Sequence, residues 1–419
     1  MKFDIRNLNR PIHVAEFREL IKSRATYLIV LLSVLIYSFF VSSFDINLYF
    51  YASPFIISHI AASTIYIGLS VSTFTFGVIV SALIGGYAFN RVSIKILFLA
   101  SISTATAASI MTGFVSAPND LLLFRFIVGM GTGMLQGTVV GFIGMVYLEK
   151  RGFLLSFTGI AFSFGLLIGP YSEAFIAPLY VPSFILSGIL GTLSFILLYI
   201  MVPNVHRNHS FIGIPRKRKI FSRNLILIFL AIFSFGIGYF GFIGYFSHYL
   251  INYMKVGHYI SALTVSMLGL GGIILTLPLG RLSDLAGRKL VLMLVYAMLA
   301  ATSFVIFFLH IPIIILIVMS FFFGGAYDAL IIVTAEAAQD YAGSGGEGSS
   351  SGLMYSFFYG GGIIGGSFFG LLLAQFGFRF TGVIAVSIFM VIGFIASSLI
   401  TENTKSSKNT NAECDSSSV

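Results

Sequence analysis

Twelve stretches of roughly 20 or more residues, almost free of charge, dominate this chain. They fall at 25–55, 64–88, 95–115, 120–147, 153–178 and 181–202, then at 224–253, 259–282, 289–309, 312–338, 352–376 and 380–400. At about 1.5 Å of rise per residue, each is long enough to cross the hydrocarbon layer of a bilayer as a helix. A membrane barrel would instead need short strands of alternating character, and these runs are continuously apolar. A water-soluble fold is excluded by surface chemistry. With 57% hydrophobic and 9% charged residues, 419 residues cannot clothe a soluble domain in polar side chains.

The expectation is therefore an all-α membrane protein of twelve transmembrane helices in two six-helix bundles. The breaks divide it into a leader (1–24), an N-terminal bundle (25–202), a central linker (203–223), a C-terminal bundle (224–401) and a disordered tail (402–419). The leader carries six basic residues and runs into a span too long for a signal-peptide core, so it reads as uncleaved. Within it, Ile12 to Ile21 reads either as a surface-lying amphipathic helix or as a disordered lead-in. The single cysteine, Cys414, sits in the polar tail and excludes an internal disulfide framework.

Basic residues set the orientation. With both termini placed in the cytoplasm, the leader, the linker, the tail and the loops after spans two, four and eight hold nearly all of the 24 Lys and Arg. Only Lys255 and Arg379 fall in outer loops, and Arg125 lies within a span. Cytoplasmic retention of positive charge orients helices during insertion. The net charge of +9 is thus a topology signal in a cytoplasmic membrane, and nucleic acid is not an expected partner. Trp is absent, so Tyr49, Tyr51, Tyr180, Tyr253 and Tyr259 are the candidates for an outer interfacial belt.

Between spans eight and nine stands Gly280-Arg281-Leu282-Ser283-Asp284-Leu285-Ala286-Gly287-Arg288-Lys289. Gly280 and Gly287 permit a tight turn. Asp284 suits a helix N-terminus, and Arg288 and Lys289 can pair with acids near the mouth. This loop resembles the cytoplasmic signature of the major facilitator superfamily. A degraded copy follows span two, with Gly86, Asn90 in place of the acid, Arg91, Ser93 and Lys95. Arg125-x-x-x-Gly129-x-Gly131-x-Gly133 in span four is similar to another pattern of the family, as is Gly165-x-x-x-Gly169-Pro170 in span five. Small residues at such spacing let helices approach closely in lipid. Span four ends near Glu149 and span ten carries Glu336 at a corresponding place, which fits an internal repeat. The resemblance implies a secondary transporter, a non-enzyme and a monomer, working by alternating access, with small-molecule substrate, protons and lipid as its partners. No bound cofactor is implied; a proton gradient supplies the energy. No Walker pattern, zinc-protease motif or metal-spaced His/Cys cluster is present.

An ionisable side chain within the bilayer needs a partner or a wet path. Four stand clear of the loops, namely Asp45, Arg125, Glu173 and Asp328. Counting helical rise puts the first three in the outer part of the N-terminal half, so Arg125 can pair with Asp45 or with Glu173. Phe44-Asp45 followed by Pro54 resembles the first span of proton-coupled sugar and organic-acid symporters of the family. That likeness implies coupling of Asp45 to Arg125, with Asp45 as the proton carrier. A static pair that fixes helix register is the structural alternative. Asp328 reads as a second titrating group, a substrate partner or a structural acid. Gln136, Tyr239, Tyr245, Tyr355 and Tyr359 are candidate cavity residues. Span seven lacks the paired glutamines usual in sugar porters, which weakens sugar recognition.

The preferred function is proton symport of a small polar metabolite. The Gly-Pro element of span five also admits a proton-driven multidrug exporter. A receptor built on a transporter scaffold is the reading from another class.

Overall fold

The structure, a computed structural model, describes residues 12–13, 25–88, 91–146, 151–206, 222–309, 311–342 and 347–401. Nearly all of them are helical. We number the helices α1 (Ala25–His59), α2 (Ile65–Ala88), α3 (Ile94–Gly113), α4 (Pro118–Val146), α5 (Arg151–Glu173) and α6 (Val181–Met201). A second series comprises α7 (Arg223–His248), α8 (His258–Ala286), α9 (Arg288–Phe308), α10 (Ile313–Ala342), α11 (Glu347–Gly382) and α12 (Ile388–Ser398). A two-residue strand, Ile12–His13, pairs in parallel with Val205–His206. Asn90 and Glu149 lie outside the described residues, as do nearly all of the leader and linker and the whole tail with Cys414.

Three features shape the helix ends. A π-helical turn, Tyr249–Tyr253, extends α7. Gly287, at φ 94°, occupies a backbone region closed to most side chains, so α8 stops and α9 starts on one residue. Gly377, at φ 68°, breaks α11, so the last two apolar runs meet at a kink. Pro54, Pro170 and Pro278 sit inside α1, α5 and α8, proline being a residue that transmembrane helices tolerate better than soluble ones.

Ten helical segments among the described residues are long and apolar enough to cross a membrane; the last, Gly352–Ser398, runs through the Gly377 break. The α5 helix is not among those ten. Bulky apolar side chains such as Ile29, Leu193, Ile314 and Ile395 are exposed on the outer surface, as a lipid-facing surface requires.

The first six helices pack together, and so do the last six, with the same partnerships. In the first half α1 packs on α5 and α6, α2 on α4, and α3 on α4 and α6. In the second half α7 packs on α11 and α12, α8 on α10, and α9 on α10 and α12. Between the halves, α2 meets α11 and α5 meets α8. The second helix of each half thus packs on the fifth of the other, as a pseudo-twofold arrangement demands.

Glycines set these distances. An added side chain at Gly129 or Gly133 would strike α2, and one at Gly131 would strike α3. Gly165 and Gly169 bring α5 against the backbone of α1 at Ser43, Phe44 and Leu48. Without a large hydrophobic driving force inside lipid, such close van der Waals contact carries much of the helix association.

Candidate functional site

Between the halves lies a cavity of about 400 Å³, lined by α1, α4, α5, α8, α10 and α11. It runs from Gln136, Asp328 and Tyr359 in the interior to Glu336 and Gln339 near the end that carries the Gly280–Lys289 loop. At the far end the halves are sealed. Tyr51 of α1 donates to the carbonyl oxygen of His258 at 2.7 Å and meets the Ser261 hydroxyl at 2.7 Å. Tyr245 of α7 donates to the Thr64 carbonyl at 3.0 Å and accepts from the Gly68 amide at 3.0 Å. Ser247 donates to the Phe50 carbonyl at 2.7 Å, and Ser72 of α2 meets Ser367 of α11 at 2.7 Å. Gly68 lies so close to the Gly366 carbonyl that a side chain there would collide with backbone.

The cavity wall is aromatic with a few polar groups. Tyr355 and Tyr359 project from α11, and Tyr359 donates to Gln136 Oε1 across the halves at 3.4 Å, a long bond. Gln136 in turn donates to Ser42 at 3.4 Å. Tyr327 of α10 lies on the wall and stacks on Tyr239 of α7, centroids 4.2 Å apart and planes within 4°. Tyr239 therefore stands behind the wall, and Tyr245 belongs to the sealed end. Of the five candidates read from the sequence, Gln136, Tyr355 and Tyr359 line the cavity.

Asp328 is a cavity residue, 8% exposed. Ser163 of α5 donates to its Oδ2 from the opposite half. Across from it, Gly272 of α8 has no side chain, and a Cβ there would overlap that same oxygen. Lys, Arg and His are absent from the described lining.

The N-terminal acids lie elsewhere. Arg125, 1% exposed, faces Asp45 with Nη2 3.8 Å from Oδ2, and its guanidinium lies over the Tyr49 ring at 4.0 Å. Asp45 also accepts from Ser109 and, at 2.8 Å, from Ser187. Tyr49 donates to Ser70 at 2.5 Å. These residues form a closed knot joining α1, α2, α3, α4 and α6, and none of them lines the cavity. Glu173 pairs with no cation among the described residues; it is fully buried near the sealed end, faces Ser183, and has no hydrogen-bond partner of good geometry. Tyr49 and Tyr51, expected in an interfacial belt, are buried because their hydroxyls serve these contacts, whereas Tyr253 and Tyr259 are about half exposed.

At the loop end Arg288 gathers three acids. Its Nη1 lies 2.8 Å from Asp284 and 2.7 Å from Glu336, and its Nε lies 3.3 Å from Asp340. The cluster ties the α8–α9 turn to α10. Gly280 leaves open space around it, Lys289 is partly buried beside the cluster, and Arg91 is exposed at the turn after α2.

Sequence reasoning did not single out Ser163, Gly272, Tyr327, Asp340, Ser109 or Ser187. For Ser163, Gly272, Ser109 and Ser187 the one signal was a small or polar residue inside an apolar span, which does not say which acid it faces; Tyr327 and Asp340 carried no signal beyond their residue type.

A family profile described as Major Facilitator Superfamily matches residues 35–366. No curated protein matches the chain by sequence. Among solved structures it is similar to the nucleoside transporter NupG, at TM-score 0.68 and 14% identity, over 89% of this chain and 100% of that one. A point-mutant form of NupG gives 0.70 at the same identity and coverage. It is also similar to a D-xylose-proton symporter, at TM-score 0.71 and 17% identity, over 90% of this chain and 98% of that one.

Proposed function

The chain belongs to the major facilitator superfamily, and from that premise we propose that it is a proton-coupled symporter for a small polar metabolite. It is a multi-pass membrane transporter and not an enzyme. The observation that carries the reading is a cavity of about 400 Å³ between two six-helix halves, open at one end and sealed by inter-half hydrogen bonds at the other. The described state is then inward-facing, because the basic loop after α8 marks the cytoplasmic side. Twelve crossings follow from counting α5 and both sides of the Gly377 break. The halves are 25–202 and 224–401, joined by a cytoplasmic linker at 203–223, with leader and tail on the same side. The transporter acts as a monomer, without nucleic acid.

Asp45 is the proposed proton carrier, Arg125 its constant counter-charge, and Glu173 and Asp328 are further titrating groups. In this reading, movement of α1 against α4 separates the Asp45–Arg125 pair and lets Asp45 exchange its proton. Similarity to a proton symporter supports this reading. The aromatic wall and the Gly165–Pro170 element favour a second reading, proton-driven efflux. A receptor on the same scaffold would bind without moving its ligand.

Proteoliposomes separate the three. Symport predicts uptake driven by an inward proton gradient, lost in Asp45→Asn while counterflow persists. Uptake driven only by the reverse gradient means efflux, and ligand binding with no counterflow means a receptor. Full gradient-driven accumulation by Asp45→Asn removes the proposed role of that residue.

A further inference from the structure

The cavity carries two carboxyl groups, Asp328 and Glu336. Glu336 pairs with Arg288 at 2.7 Å, a guanidinium it shares with Asp284 and Asp340. Asp328 has no such partner. Among the described residues its hydrogen bond is with the Ser163 hydroxyl on Oδ2, and no ion pair reaches it. Oδ1 carries no hydrogen bond from the described residues, and the residue lines the cavity. The site is also built around the group, because Gly272 withholds a side chain where one would displace the carboxylate.

An acid placed this way selects among ligands. An anionic substrate would bring like charge against Asp328 with no lysine, arginine or histidine on the described lining to offset it. A neutral polyol can donate a hydrogen bond to Asp328 but leaves the carboxylate's charge without a counter-ion. A cation gains twice. It forms a charge-assisted pair with Asp328, and it meets the negative faces of the surrounding rings, Tyr327, Tyr355, Tyr359, Phe162 and Phe358. The Tyr239–Tyr327 stack fixes one of those rings from behind, so little ordering is required on binding.

We infer that Asp328, set in this aromatic wall, recognises a substrate bearing an organic ammonium group. The inference rests on the transporter reading and narrows its polar metabolite to an amine. It also sets organic acids aside as substrates.

Matched probes test it on the purified full-length protein by isothermal titration calorimetry. Phenethylamine, 2-phenylethanol and phenylacetate share a shape and differ in charge, and benzyltrimethylammonium keeps its charge at every pH. The expected ranking has both cations binding at least about tenfold more tightly than the alcohol, with phenylacetate weakest. In Asp328→Asn, which retains an oxygen for Ser163, the cations lose about tenfold or more and the alcohol is unchanged. The wild-type ranking decides the matter even if that variant fails to fold. Equal or tighter binding of the alcohol or of phenylacetate overturns the inference, as does unchanged cation affinity in Asp328→Asn. Absence of cation binding into the millimolar range overturns it too. Counterflow of phenethylamine keeps the two levels apart. Binding without counterflow removes the transporter reading and spares the recognition role, whereas transport of other solutes with no amine binding does the reverse.

Discussion

The hydroxyl of Tyr51 in α1 lies 2.7 Å from the backbone carbonyl of His258, which opens α8 in the other half. This bond, shared with Ser261, holds the far end shut. A rocking transporter must break it to open that end. Tyr51→Phe removes both contacts and weakens the closed end by about 1–2 kcal/mol. The ratio of the two states then shifts roughly five- to thirty-fold toward the one open at that end. Spin labels at Phe55→Cys and Tyr259→Cys, with Cys414 replaced by Ser, read the opening as a longer distance. An unchanged distance distribution would remove Tyr51 from the gate.

Gly68→Ala makes the same point through sterics. The added methyl meets the Gly366 backbone, which cannot swing aside as a side chain can. The α2–α11 seam opens at the far end while packing inside each half is untouched. The same spin-label pair should report opening without loss of thermal stability; a simple drop in melting temperature would point instead to a structural role.

The knot around Arg125 predicts an asymmetry. Asp45→Asn leaves a buried guanidinium without its counter-charge and costs about 3–5 kcal/mol. Arg125→Gln placed on top of Asp45→Asn should recover part of that loss, since no unpaired charge remains. Thermal denaturation in detergent measures the cycle. Additive losses in the double variant would show that the two residues do not act as a pair.

The Arg288 cluster is more exposed, its side chain 26% accessible, so its ion pairs are screened. Arg288→Gln should lower stability by about 1 kcal/mol at low ionic strength and by less in high salt. A loss that is the same at both salt concentrations would show that the guanidinium works through packing rather than charge.

Particular residues show how far the sequence reached. The Gly287 turn and the Arg288 cluster follow from one ten-residue loop, since a glycine with a positive φ and a neighbouring cation act locally. Arg125 and Asp45 were legible as partners because charge in a span is rare and helical rise gives depth. Depth alone left Glu173 open as a rival, and the helix rotations removed it. Tyr245 and Tyr239 read as cavity residues from position along α7, yet one seals the far end and the other backs a ring on α10.

What the sequence by itself determined is the solvent, the helical class of the apolar segments, and the loop that marks the superfamily. These follow from composition and local chemistry. Rotation of each helix about its axis, and so whether Asp328 or Asp45 meets the cavity, was decided only by tertiary packing. In lipid a span is apolar on every side, so no amphipathic stripe records which face turns inward. That choice is made by glycines such as Gly272 and Gly165 fitting partners on helices far away in the chain.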